Sequence, residues 1–111
     1  MGGTSTDVCV IRDRQAARSW REVAGLRLGL PMLEVHTVAA GGGSIIDYRD
    51  GQLVVGPASA GADPGPACYG RGGPATVSDA NLVLGQLLPE ALPSVFGVNA
   101  DAPLDREAAR A

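Results

Sequence analysis

Glycine and proline are concentrated in the middle of this 111-residue chain. It contains sixteen glycines and eight prolines, most of them between Gly41 and Pro74. Because both residues favour tight turns and interrupt helices, this distribution predicts a chain rich in strands and loops rather than a helical bundle. A chain of this length can bury a single core, and the aromatic content of 4% predicts that the core is aliphatic.

Charge and hydropathy exclude several classes of partner. The formal net charge of −3 provides no basic surface for a nucleic-acid backbone, so we expect no nucleic-acid partner. The sequence has no apolar run of about 18 residues and no signal-peptide pattern, which predicts a cytoplasmic protein without membrane contact. All nine basic residues are arginine, and a Walker-type P-loop requires a lysine, so that motif is excluded within this chain.

Apolar alternation and turn residues predict five strands. These are Val8–Ile11, Leu26–Leu30 ended by Pro31, Leu33–Ala39, and a hairpin of Ile45–Tyr48 with Gln52–Val55 around Asp50 and Gly51. The residues from Gln15 to Val23 are interpreted as a polar connector of uncertain state.

The second half of the chain predicts two short helices and a long loop. One helix is predicted from a cap at Ser78 or Asp79 through Leu87, and a last one over 106–110 with Asp105 as its cap. Residues 56–74 lack periodicity, which is typical of a functional loop or a partner surface. We expect this loop to be ordered by contact with another lobe or subunit.

The segment Gly2–Asp7 places two glycines and three hydroxyl side chains directly before an apolar strand. Such a turn presents backbone N–H groups and hydroxyls to one point, and its glycines lack the Cβ that would block close approach. The pattern is typical of a phosphate-binding turn and equally of a structural turn that opens a strand. A dinucleotide-binding fold is disfavoured, because G-x-G-x-x-G is absent.

Gly41, Gly42 and Gly43 form a second glycine stretch. They can allow close approach of a nucleotide or substrate, or they can be required by a turn with positive φ angles.

The cysteines and Asp79 have mainly structural interpretations. Cys9 and Cys68 are expected to be free thiols. A nucleophilic Cys68 would need a neighbouring base, and the single histidine is His36 on a predicted strand. Because these three residues lack metal-ligand spacing, no metal site is predicted. Asp79 is interpreted first as a helix cap rather than a catalytic carboxylate.

Four blocks of this sequence resemble the catalytic core of the hydantoinase/oxoprolinase family. They are MGGTSTDV at 1–8, AAGGGSI at 39–45, VGPASAGADPGPACYGRGG at 55–73 and TVSDANLVLGQL at 76–87. The family includes ATP-dependent 5-oxoprolinases, N-methylhydantoinases and nucleotide-binding subunits of acetone carboxylases. The blocks occur in the family's order and cover roughly the first 90 residues.

The resemblance implies an α/β fold in which this chain is part of an actin/hexokinase/Hsp70-like nucleotide-binding lobe. Residues 1–111 would be a fragment of the catalytic domain, the lobe with the second phosphate motif, truncated at both ends. The implied cofactors are ATP and Mg²⁺, with no metal ligand assigned in this chain. The implied cofactor-binding residues are Gly2, Gly3, Thr4, Ser5, Thr6, Gly41, Gly42 and Gly43. Asp7 would be a catalytic carboxylate that orients hydroxyls or Mg²⁺-bound water, or else a polar residue at the start of a strand.

The implied function is ATP-dependent hydrolysis of cyclic amide rings such as 5-oxoproline or hydantoin, with phosphate activating the amide. The alternatives are a piece of an acetone carboxylase-type subunit and a non-catalytic interaction module. The implied partners are the cyclic amide and the remaining lobe of the parent chain or a partner subunit. We expect the isolated chain to be inactive, because one phosphate turn without its opposing lobe cannot enclose a phosphoryl group.

Overall fold

The computed structural model describes residues 1–16 and 18–111, and at 16, 18–21, 23 and 27–32 it describes the backbone alone. The chain divides into two units. One unit is Thr6–Val38, and the other combines Met1–Ser5 with Ala39–Ala111.

The unit Thr6–Val38 consists of three antiparallel strand pairs. They are β1 (Thr6–Cys9) with β6 (Val35–Val38), β2 (Ile11–Arg12) with β3 (Gln15–Ala16), and β4 (Arg18–Val23) with β5 (Leu26–Leu33). The turn between β4 and β5 uses Ala24 and Gly25, both with positive φ, which suits the twist of a tight hairpin.

Two sequence expectations for this unit differ from the structure. The polar connector contains strands β3 and β4, because β4 gains a hydrogen-bonding partner in β5 that its own composition does not reveal. Pro31 does not end its strand. The ladder pairs Arg21 with Leu28 and Ser19 with Met32, so Pro31 lies in an irregular stretch where its missing N–H is tolerated.

The other two strand predictions in this unit have shifted bounds. The strand expected at Val8–Ile11 is divided between β1 and β2, and the one expected at Leu33–Ala39 is shortened to β6. The bounds of β1 and β6 match their antiparallel register, from Thr6 opposite Val38 to Cys9 opposite Val35, whereas β2 pairs with β3.

The larger unit contains the predicted hairpin, which is confirmed and longer than expected. Strand β7 (Ser44–Arg49) pairs with β8 (Gln52–Ser59), with Tyr48 opposite Leu53. The turn residues Asp50 and Gly51 have φ values of 51° and 81°, the left-handed pair that a two-residue hairpin turn requires. The 3-10 helices Ala67–Tyr69 and Pro89–Ala91 flank the α-helix α1 (Val77–Val83).

Helix α1 begins earlier and ends earlier than predicted. Its N-cap is Thr76, and Asp79 occupies the third helical position, where the two side chains form a capping box. The helix stops near Leu84 because Gly85 adopts a φ of 75°. The Gly85 and Gln86 N–H groups then donate back to the carbonyls of Leu82 and Asn81, the pattern of a Schellman C-cap.

The hydrophobic core lies in the larger unit, around buried Cys68, Leu82 and Leu104. Tyr69 and Phe96 pack against it with ring centroids 4.7 Å apart, so the expectation of a wholly aliphatic core is wrong. This core is formed by side chains that lie up to nearly 40 residues apart in the sequence. A count of aromatic residues does not reveal such long-range packing.

The C-terminal helix predicted over 106–110 is a series of turns. Its predicted cap is confirmed, since the Asp105 carboxylate accepts hydrogen bonds from the Glu107 and Ala108 N–H groups. Among the described residues, strands are combined with a single short α-helix, which is compatible with the predicted α/β class. No helix in the described part of the chain is long and apolar enough to cross a membrane.

Candidate functional site

The structure brings the two glycine stretches together, although about 40 residues separate them in sequence. The Gly2 N–H donates to the Ser5 carbonyl at 2.8 Å and closes the N-terminal turn. The Gly42 N–H donates to the Gly2 carbonyl at 3.0 Å, and the Gly43 N–H donates to the Gly3 carbonyl at 2.6 Å. The backbone of the second glycine stretch therefore packs directly against the backbone of the first and is hydrogen-bonded to it.

This close approach explains why residues 41–43 are glycines. A Cβ built at Gly41 would lie 2.6 Å from the carbonyl oxygens of both Gly2 and Gly3. At Gly42 it would lie 2.7 Å from the Ser78 Oγ, and at Gly43 it would lie 3.0 Å from the Gly3 carbonyl. The φ angles of the three glycines are outside the left-handed region. The alternative that the sequence left open, a turn with positive φ, is wrong. The backbone of Gly2 and Gly3 approaches closely at Gly41 and Gly43, and the Ser78 hydroxyl lies close at Gly42.

Gly3 differs from these glycines. A Cβ at Gly3 would meet no atom of the described residues within 4 Å, and its φ is outside the left-handed region. Packing inside the described part of the chain therefore does not require a glycine at this position. The backbone N–H groups of Gly3, Thr4 and Ser5 also have no acceptor among the described residues. The turn thus presents three successive backbone N–H donors that no described residue occupies.

Serine hydroxyls tie this turn to the following hairpin. The Thr4 Oγ1 and Ser59 Oγ lie 3.3 Å apart, and the Ser59 Oγ also accepts from the Gly61 N–H. The buried Ser44 hydroxyl accepts from the Gly41 N–H at 2.9 Å. Sequence reasoning missed Ser59 as a supporting residue, and its position in the family block at 55–73 was the available signal.

The remaining candidates, Thr6 and Asp7, begin strand β1 in the other unit. The Asp7 carboxylate accepts a hydrogen bond from the Thr37 Oγ1 at 2.6 Å across the β1–β6 pair. This contact agrees with its interpretation as a polar residue at the start of a strand, and it leaves the second carboxylate oxygen available to other donors.

The Asp79 carboxylate is buried in the larger unit and accepts four hydrogen bonds. Its oxygens accept hydrogen bonds from the Thr76 N–H and hydroxyl at 2.7 and 2.8 Å. They also accept from the Cys68 N–H at 2.7 Å and the Ala67 N–H at 3.2 Å. Asp79 therefore joins the start of α1 to the 3-10 helix Ala67–Tyr69. These bonds hold part of the 56–73 loop from within the chain, and the expectation that another lobe or subunit orders the loop stays a prediction.

The thiol of Cys68 is fully buried beside this carboxylate. Burial, and then the hydrogen bond and charge of Asp79, raise the pKa of Cys68 to about 12. A thiol with this pKa remains protonated at neutral pH, so Cys68 is a packing residue rather than a nucleophile. Both cysteines are free thiols, as predicted. His36 lies 3.7 Å from the Glu34 carboxylate, and no group of three metal-ligating side chains occurs in the described residues.

Comparison with known proteins gives consistent matches over nearly the whole chain. The family model described as Hydantoinase/oxoprolinase matches residues 1–111. A 5-oxoprolinase of Pestalotiopsis fici is 57% identical over 107 residues, and the 5-oxoprolinase of Saccharomyces cerevisiae is 53% identical over 108 residues. The alpha subunit of a caprolactamase of Pseudomonas jessenii is 50% identical over 95 residues. These matches cover 96%, 96% and 83% of this chain.

A nucleotide-free structure of acetone carboxylase, an enzyme of ATP-dependent acetone carboxylation, is similar in fold. The TM-score is 0.64 at 33% identity, over 98% of this chain and 15% of that one. The chain spans 8% of the length of the two 5-oxoprolinases and 14% of the caprolactamase subunit.

Proposed function

The chain belongs to the hydantoinase/oxoprolinase family, and from that membership we propose that it forms part of an ATP-dependent enzyme that opens cyclic amide rings. The observation that carries the proposal is the open turn at Gly3, with its three available N–H donors. The identity with the 5-oxoprolinases exceeds that with acetone carboxylase, which favours ring opening over the alternative of a carboxylase subunit.

The proposed ligand of the turn is the phosphate chain of ATP. Bound ATP supplies a phosphoryl group that makes the amide carbon electrophilic, so that water can attack it. The N–H groups of Gly3, Thr4 and Ser5 would donate to phosphate oxygens and stabilise the negative charge there. The missing side chain at Gly3 leaves room for this approach, and the Thr4 hydroxyl beside Ser59 adds a further polar group.

Gly41, Gly42 and Gly43 have a different role in this proposal. The N–H groups of Gly42 and Gly43 already donate to the carbonyls of Gly2 and Gly3, so they are not free to hold a phosphate. We therefore assign these glycines to holding the turn in shape. Asp7 keeps its proposed role as a carboxylate that orients hydroxyls or Mg²⁺-bound water, because one of its oxygens is not occupied by Thr37.

The architecture and setting of the enzyme are proposed on the same family membership. The chain would form part of an actin/hexokinase/Hsp70-like lobe that carries the second phosphate motif, within a longer cytoplasmic polypeptide or a subunit complex. Mg²⁺ would accompany ATP, and no ligand for it is assigned in this chain. The substrate would be a small cyclic amide, since the relatives act on 5-oxoproline and caprolactam by name.

The test compares two glycine substitutions in the full-length protein that carries this chain. Gly3→Ala should leave the melting temperature unchanged, because its Cβ has free space, and should weaken ATP binding at least about tenfold by crowding the phosphates. Gly41→Ala should instead lower the melting temperature, because its Cβ would lie 2.6 Å from two carbonyl oxygens. The measurements are ATP titration, 5-oxoproline-dependent ATP hydrolysis and thermal unfolding.

A Gly3→Ala protein with wild-type ATP affinity and turnover would contradict the phosphate assignment. A lowered melting temperature in Gly3→Ala would contradict the conclusion that packing requires a glycine at position 41 but not at position 3.

A further inference from the structure

Arg71 is a half-buried cation without an acidic partner among the described side chains. Its Nε donates to the Gly97 carbonyl at 2.9 Å, and no carboxylate among the described side chains forms an ion pair with it. Its terminal nitrogens likewise have no acceptor in the described part of the chain. The guanidinium is therefore held from one side by a backbone oxygen, and no described residue occupies its two terminal nitrogens.

The backbone around Arg71 is built to hold this position. Gly70 and Gly72, on either side, have φ values of 66° and 73°, which other residues rarely adopt. The Gly97 N–H donates to the Tyr69 carbonyl at 2.7 Å, so the segment that accepts from Arg71 is itself attached to the 3-10 helix. Arg71 thus belongs to a constrained loop that is anchored at two points, and its side chain is not a freely moving surface group.

Arg71 lines an open depression of about 680 Å³ that also contains Asp63, Gly70, Gly72 and Val98. Asp63 is exposed, and within the described residues it forms no ion pair with Arg71 across this space. The depression therefore presents a fork of donors and a separate carboxylate acceptor, with room for a small molecule between them.

We propose that this depression binds the carboxylate-bearing lactam substrate, with the Arg71 guanidinium on the substrate carboxylate and Asp63 accepting from the lactam N–H. The inference rests on the proposed ring-opening function and adds the residues that would select its substrate. In 5-oxoproline the carboxylate is attached to the carbon next to the ring nitrogen, so an anion and an N–H donor lie side by side. A guanidinium recognises a carboxylate through two parallel hydrogen bonds, which gives both affinity and orientation.

The two contacts predict different selectivity for two ligands. 2-Pyrrolidinone has the same lactam ring and N–H as 5-oxoproline but no carboxylate. Binding of each to the full-length protein is measured by calorimetry, with and without a non-hydrolysable ATP analogue. Arg71→Gln should weaken 5-oxoproline binding about 10- to 100-fold and leave 2-pyrrolidinone binding unchanged, because it removes a charge-assisted contact to the carboxylate alone. Asp63→Ala should weaken both ligands, because both donate the lactam N–H.

Arg110→Gln is the matched control, since it removes the same charge from an exposed arginine outside the depression. Affinity for ATP and the melting temperature should remain at wild-type values in all three variants. Asp63 is exposed, so its variant tests the site even if Arg71→Gln unfolds the loop.

Ring opening is followed separately, as ATP-dependent release of glutamate from 5-oxoproline. Loss of 5-oxoproline binding in Arg71→Gln supports the site even in a protein that opens no ring, and in that case only the proposed function fails. Wild-type protein that does not bind 5-oxoproline, or that binds it no better than 2-pyrrolidinone, overturns the inference. Wild-type affinity for 5-oxoproline in Arg71→Gln overturns it as well.

Discussion

Replacing Asp79 by alanine should release the 3-10 helix Ala67–Tyr69 from helix α1. The substitution removes the acceptor of the Cys68 and Thr76 N–H groups, each 2.7 Å from the carboxylate. Cys68 and Thr76 are both fully buried, so water cannot replace the lost acceptor without opening the structure. An unsatisfied buried donor costs about 1–3 kcal/mol, so the two N–H groups together cost about 2–6 kcal/mol.

The assay is hydrogen exchange with mass spectrometry on the full-length protein. About 1.4 kcal/mol corresponds to a factor of ten in the equilibrium constant for local opening. Exchange in peptides that cover residues 66–76 should therefore accelerate at least about 30-fold. Asp79→Asn should give an intermediate acceleration, because its amide retains one acceptor oxygen. Asp105→Ala is the control: it also removes a capping carboxylate, but its partners Glu107 and Ala108 belong to an open turn, and the cost is about 1 kcal/mol.

Exchange of residues 66–76 in Asp79→Ala within about threefold of wild type would refute the reasoning, since that corresponds to less than about 1 kcal/mol. It would mean that another lobe or subunit, rather than Asp79, orders this loop.

Three further outcomes follow from the same contacts. In the folded protein Cys68 should resist alkylation between pH 7 and 9 while exposed Cys9 reacts, and mass mapping after denaturation should show both modified. Because the pKa of Cys68 is raised from 9.0 to about 12, its protonated thiol stabilises the fold below pH 9, and chemical denaturation should show that stability being lost as the pH rises towards 12. Thr76→Ala should lower the unfolding free energy by about 1 kcal/mol through loss of the capping box, measured by the same denaturation, and an unchanged midpoint would contradict the cap assignment.

Local patterns in the sequence predicted the elements whose causes are local. The hairpin around Asp50 and Gly51 was predictable because a two-residue turn with left-handed φ angles strongly favours this pair. The cap at Asp105 was predictable for a similar reason, since an aspartate side chain satisfies the N–H groups that follow it. Helix α1 (Val77–Val83) was predicted with a late cap, because Asp79 fits both the cap position and the third helical position of a capping box.

Features that depend on long-range contact were not predictable from one sequence. No local pattern reveals that Gly41 packs against Gly2 and Gly3, so the sequence left the role of that stretch open. Likewise, the sequence suggested Asp79 as a cap but gave no sign of its bonds to Ala67 and Cys68. Pro31 was wrongly expected to end its strand, because it lies where the register of β4 with β5 is irregular and its missing N–H is tolerated. The sequence does not reveal that irregularity.

The most direct test of the central proposal is hydrogen exchange at the N-terminal turn of the full-length protein with and without ATP. The N–H groups of Gly3, Thr4 and Ser5 have no acceptor in the described part of the chain, so they should exchange rapidly in the nucleotide-free protein. If they hold phosphate oxygens, saturating ATP should slow exchange of a peptide that covers residues 1–6, and Gly3→Ala should abolish the effect. ATP binding that leaves exchange of this peptide unchanged would contradict the proposal that the turn holds phosphate.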